Sequence, residues 1–162
     1  MIEKSFNLRR PINKSGFTLI EVIVVLIILG VTATFVAIKA TDHNSELIAQ
    51  TEILKSHLRY AQMKSMSSNA VWGVSASGNS YCLFTNGSTG TKRQLPGEEG
   101  LDVDLSVHGL SVTDFTYSFG TWGSPCTDAV ASARLTLAAN ITVSEGGISK
   151  TITINPYTGF IP

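Results

Sequence analysis

Few side chains in this sequence are spaced for chemistry. The three histidines, His43, His57 and His108, are scattered, and no Ser-His-Asp order, phosphate-binding glycine loop or paired-carboxylate motif accompanies them. Cys82 and Cys126 have no His or Asp at metal-ligand spacing, so no metal is expected there and no cofactor elsewhere. Glu98-Glu99, within Pro96-Gly97-Glu98-Glu99-Gly100, reads as a solvated turn, with an acidic partner-binding tip as the alternative. This inventory points away from an enzyme. One carboxylate does stand out: Glu21, placed inside an apolar run. At a bilayer centre such a charge costs about 2.5–3.5 kcal/mol on insertion scales. In any apolar surrounding it must be neutralised or paired.

The elements that position Glu21 are visible in the composition. Of 162 residues, 43% are apolar and 15% charged, against about 25% charged in an ordinary soluble domain. That excludes an intrinsically disordered chain. Lys+Arg and Asp+Glu balance at 12 each, so no global basic field draws in nucleic acid. Much of the positive mean hydropathy, +0.20, comes from the first quarter. Residues 1–16 hold Lys4, Arg9, Arg10 and Lys14 against Glu3 alone. Residues 17–38 follow with Glu21 as their one charge. As a helix, 17–22 such residues extend roughly 25–33 Å, enough for a bilayer's hydrocarbon core. The β-branched residues favour a strand in water, but in lipid the backbone must satisfy itself, so helix wins. The basic flank predicts a cytoplasmic N-terminus. A cleaved secretory signal is the competing reading. The length of the run, its poor cleavage sites and the presence of Glu21 weigh against it.

Lys14-Ser15-Gly16-Phe17-Thr18-Leu19-Ile20-Glu21 resembles the processing site of type IV pilins and type II secretion pseudopilins. The resemblance is tight over about residues 9–40 and implies a series of expectations. A prepilin peptidase would cut after Gly16 and leave the helix in place. Phe17 would become the N-methylated first residue. Glu21, the fifth mature residue, would pair with the terminal amine of a neighbouring subunit and set register during assembly. Residues 1–16 would be the leader, 17–39 the transmembrane and assembly helix, and 40–162 a periplasmic globular domain. The protein would reside as a single-pass protein in the bacterial inner membrane and then in a pilus or pseudopilus. Its partners would be prepilin peptidase and other pilin or pseudopilin subunits.

Residues 58–74, LRYAQMKSMSSNAVWGV, and the ending ITINPYTGFIP further resemble H-class pseudopilins and related minor pilins. This implies a minor subunit that initiates or joins a filament. The alternative is an adhesin-like or DNA-uptake minor pilin at the filament tip. Beyond residue 16 the chain carries 8 Lys+Arg against 11 Asp+Glu, with Lys92-Arg93 the one basic pair singled out. That argues against nucleic acid as the main ligand.

The remaining elements follow from periodicity. Leu47, Thr51, Leu54, Leu58 and Ala61, widened by Ile48 and Met66, predict an amphipathic helix packed on a sheet, with Lys55, Arg59 and Lys64 on a solvated face. Strands are expected at 71–74, 81–84, 101–107, 115–119, 133–137, 141–143 and 148–154, with turns at 77–79, 86–90 and 144–147. The expected fold is α+β: a long N-terminal helix whose second half packs on a C-terminal antiparallel sheet. A periplasmic location would make Cys82 and Cys126 a disulfide, worth on the order of 4 kcal/mol by chain entropy. Two buried free thiols are the alternative.

Overall fold

The computed structural model describes residue 16, residues 18–40 and residues 43–162; the side chains of residues 35–44 lie outside the description. The chain divides into two units, Met1–Thr41 and Asp42–Pro162. In the first, helix α1 spans Leu19–Ala40. In the second, helix α2 spans His43–Ser68 and is followed by strands, giving an α+β domain.

α2 buries the stripe its spacing predicts: Leu47, Thr51, Leu54, Leu58 and Ala61 are all inside. Ile48 and Met66 do not widen it; both are exposed, and the buried face is extended by the polar His57 and Ser65. The helix ends where Asn69 takes a left-handed backbone, φ 51°, which an Asn at the C-cap tolerates.

The strands form two antiparallel sheets rather than one. The larger contains β1 (Trp72–Ser77), β2 (Ser80–Thr85), β3 (Ser88–Arg93), β4 (Asp102–Asp104), β6 (Phe115–Phe119) and β7 (Pro125–Cys126). Its order is β3-β2-β1-β6-β7, with β4 also on β2. The smaller runs β5 (Ser111–Val112), β8 (Ala139–Glu145), β9 (Ile148–Ile154), with β8 in the middle.

Three expected segments differ. The turn at 86–90 is shorter, because Asn86 and Gly87 both adopt positive φ and release Ser88 into β3. The strand at 101–107 stops at Asp104. Its carboxylate accepts from the Ser106 N–H at 2.9 Å and starts a 3-10 turn, Leu105–His108, closed by left-handed Gly109. Residues 133–137 make one isolated bridge, Arg134 with Cys126, and Leu137 is exposed.

Register separates the two faces of the larger sheet. Val74, Ala76, Tyr81, Leu83, Phe115 and Phe119 share the face that joins the main core with α2. Gly73, Ser75, Cys82, Phe84, Thr116 and Ser118 occupy the other. Phe84 is fully buried there and its ring lies over Gly73. A Cβ at Gly73 would also stand 2.5 Å from the Tyr117 carbonyl oxygen, so this position needs glycine.

The expected disulfide is not formed: Cys82 and Cys126 are free, buried thiols. Topology gives the reason. Cys82 on β2 pairs with Ser75, Ser75 with Thr116, and Cys126 on β7 with Ser118. The thiols are thus three strand intervals apart, roughly 14 Å, where a disulfide needs Cα atoms within about 7 Å. Burial pushes both thiols up from their ordinary pKa, which keeps them unreactive.

α2 also supplies the polar groups that hold the loops. His57 Nε2 lies 3.1 Å from the Pro96 carbonyl oxygen, and His57 Nδ1 lies 2.9 Å from the Tyr81 hydroxyl. A carbonyl only accepts, so Nε2 carries a proton, and with the ring neutral the Tyr81 hydroxyl donates to Nδ1. Burial, with Glu98 adding to it, pushes the Tyr81 phenol well above its usual range.

Two outcomes follow for the full chain in detergent. The intact mass of the native protein should not shift on reduction, and neither thiol should react with iodoacetamide before unfolding. A mass gain on reduction would restore the cross-link. The raised Tyr81 phenol adds stability that is complete below about pH 10 and lost as pH rises beyond it. Tyr81→Phe should therefore show a shallower alkaline loss in urea unfolding, and should cost about 1–3 kcal/mol at neutral pH because His57 Nδ1 loses its donor.

Candidate functional site

Glu21 lies in the first turn of α1. Thr18 starts that turn. The Glu21 N–H donates to Thr18 Oγ1 at 3.3 Å and to its carbonyl oxygen at 3.1 Å, and the Val22 N–H reaches the same carbonyl oxygen at 3.2 Å. Thr18 is therefore the N-cap, and Glu21 sits where the helix dipole favours a negative charge. Beside it, Val22, Val25 and Leu26 follow at helical spacing and line with Glu21 an open, apolar-walled groove of about 240 Å³. Every described α1 side chain, from Leu19 to Thr34, is exposed.

The hydroxyls of this apolar surface are satisfied internally. Thr32 donates to the Ile28 carbonyl oxygen at 2.8 Å, and Thr34 to that of Gly30 at 2.8 Å. Among the described α1 residues, both threonine hydroxyls are thus spent within the helix. Among the described residues no helix is long and apolar enough to cross a membrane. The part of α1 with described side chains, residues 19–34, extends roughly 24 Å, short of a hydrocarbon core of about 30 Å.

Of the other predicted site residues, Gly16 is exposed with open space around it. Phe17, expected to be methylated, lies outside the described residues, as does the basic segment before Gly16. Cys82 lines an open groove of about 510 Å³ with Ser75, Ser77, Ser80, Thr89, Lys92 and Asp102. Lys92 Nζ is committed to both Asp102 oxygens, at 2.6 and 2.7 Å. With the thiol kept protonated and the ammonium paired, the groove assembles no nucleophile–base couple. Among the described residues no group of three or more His, Cys, Asp or Glu is placed to hold a metal ion.

Sequence reasoning missed what Arg59 and Gln62 do. Arg59 donates from Nε and Nη2 to the Ile161 carbonyl oxygen, at 3.2 and 2.9 Å. Gln62 Nε2 donates to the carbonyl oxygens of Gly123 and Thr158, at 2.8 and 3.0 Å. Both acceptors are main-chain atoms, which leave no mark in a side-chain pattern. Lys64 lies over the Tyr60 ring at 5.5 Å.

The family model described as the prokaryotic N-terminal methylation motif matches residues 12–37. The match holds Gly16, Phe17 and Glu21 together with most of α1. No curated protein and no solved structure matches the chain.

Proposed function

We propose that this chain is a structural subunit of a type IV pilus or type II secretion pseudopilus. The observation that carries the reading is the methylation-motif match over residues 12–37, which supports a pilin-type subunit made as a precursor. Prepilin peptidase cuts between Gly16 and Phe17 and Phe17 is then methylated. α1 holds the subunit in the inner membrane until assembly: its 22 residues extend roughly 33 Å. The domain of residues 43–162 stands on the periplasmic side.

In the filament α1 packs against the α1 helices of other subunits. The exposed apolar surface and the internally bonded threonines suit that role. Glu21, at the capped end, pairs with the methylated Phe17 amine of a neighbour. The pair is worth most where water is excluded, since an unpaired carboxylate there is strongly destabilising. The likeness of residues 58–74 and of the C-terminus to H-class pseudopilins favours a minor, filament-initiating subunit over an abundant one. The chain's chemistry is structural rather than enzymatic.

Protein taken from the native membrane should begin at Phe17 and carry one added methyl group on its amine, read by intact mass and N-terminal sequencing. A start near Ala40 would indicate leader peptidase and refute the reading. Glu21→Val should leave membrane insertion intact, because it removes a costly charge. Its recovery in sheared filaments should fall at least about tenfold, equivalent to about 1.4 kcal/mol. Wild-type recovery would rule out the pairing.

A further inference from the structure

The smaller sheet ends on a bare edge. β9 pairs with β8 alone, in one unbroken register from Glu145↔Ile148 to Ala139↔Ile154. Thr142 fixes which way its main chain points. The Thr142 carbonyl oxygen accepts from the Thr113 N–H at 3.0 Å, and the Thr142 N–H donates to Thr113 Oγ1 at 3.2 Å. Thr142 therefore faces away from β9, and Thr151, its register partner, exchanges no bond with it. By alternation Ser149, Thr151 and Thr153 direct their N–H and C=O groups outward. Among the described residues no other main-chain group bonds them.

Other edges of the domain are blunted. β5 and β7 are two residues long, and the register of β3 on β2 shifts between Phe84 and Thr85. Short strands and bulges are the usual protection of an edge. β9 has seven residues, no proline and no register shift.

The guard on β9 is a charge. Lys150 stands opposite Val143, and Ile152 opposite Ile141. Opposite residues share a face. Val143, Ile141 and Ile152 are buried, so Lys150 continues the core side of the sheet to its exposed margin. An open groove of about 190 Å³ lies there, between Ile48, Thr51, Glu52 and Lys55 on α2 and Lys150 and Thr151 on β9. Lys55 Nζ is bonded to Glu52 Oε1 at 2.8 Å. Among the described residues no carboxylate pairs with Lys150. Ile48 and Ile148 are both exposed.

These facts select an occupant. A second copy paired antiparallel about Thr151 would set Lys150 diagonal to its own counterpart. Paired about Lys150, it would set the two ammoniums face to face. Like charges so placed are destabilising, whereas a carboxylate opposite Lys150 is favoured.

We propose that β9 is a docking edge for an extended segment of a different protein. The segment adds antiparallel as a fourth strand and places a carboxylate opposite Lys150. Main-chain bonds to Ser149, Thr151 and Thr153 supply the affinity, and the Lys150 groove supplies the selectivity. Apolar side chains two positions from the carboxylate lie on the same face and cover Ile148 and Ile48. The inference goes beyond the filament role and does not depend on it.

The test uses the full chain in detergent and capped, fluorescent peptides of the pattern Thr-Val-Thr-X-Thr-Val-Thr, with X as Glu, Ser or Lys. Anisotropy should rank the Glu peptide tightest. Lys150→Glu, a change at an exposed side chain, should weaken that peptide at least about tenfold and turn the preference toward Lys. N-methylation of the two Thr amides beside X should abolish binding, since those amides face β9, while N-methylation of X should not. Binding by none of the peptides overturns the proposal. So does a ranking that Lys150→Glu leaves unchanged, or equal tolerance of the two methylations. A chain that binds no peptide but forms an oligomer lost with Thr151→Pro would overturn it too, and assign the edge to a second copy.

Discussion

The two sheets of the globular domain share no strand ladder, and the seam along α2 is what joins them. Leu47, Leu54, Leu58 and Ala61 are fully buried, packed in one core with Val74 and Phe119 of the larger sheet and Ile141 and Ile152 of the smaller. Truncating one such leucine costs about 2–5 kcal/mol, a large share of the 5–15 kcal/mol by which a typical domain is stable. The same helix holds the irregular segments through His57, Arg59, Gln62 and Ser65, each bonding a main-chain carbonyl oxygen far away in sequence. One helix thus supplies the apolar glue and the polar pegs. The loops that carry Trp122 and Tyr157 depend on the pegs for their shape.

Periodicity made the α2 stripe and the strands around Val74, Leu83, Phe115 and Ile152 legible, because each element has one buried side and its side chains repeat with the backbone. It failed where main-chain geometry decides. β3 was hidden because Ser88–Arg93 has no apolar alternation and lies on an exposed edge. Leu105 and Val107 continued a strand-like alternation, yet the Asp104 cap and Gly109 turn the chain into a 3-10 segment. The cysteines were misread for a related reason: an even count says nothing about strand order, and strand order places them three intervals apart. Glu21 stood out as a position, since a charge within an apolar run is a pattern that residue order exposes.

The assembly reading and the globular domain place opposite demands on apolar surface. Around Glu21 the chain exposes Leu19, Val22, Val25 and Leu26 on a helix with every described side chain open. A surface of that kind on a soluble protein marks a binding site or a liability. Under the assembly reading, the Glu21 carboxylate makes the same surface selective, because a partner that brings a cation is favoured over one that does not. In the domain, apolar area is hidden under α2, and what remains exposed is confined to scattered positions such as Trp122 and Phe160.

Strand order also bears on how the domain forms. The β1–β2 and β8–β9 hairpins join neighbours in sequence, while Ala76 on β1 must find Phe115 on β6 across the whole of β2, β3, β4 and β5. Closing that long loop is the slow, entropically costly event. Until it happens, β1 has one bare edge and the apolar side chains of Val74 and Ala76 lack half their cover. For that interval a newly made chain presents an open strand of the kind through which separate molecules aggregate. Delay in β6 docking is therefore a hazard that a newly made chain faces before that edge is sealed.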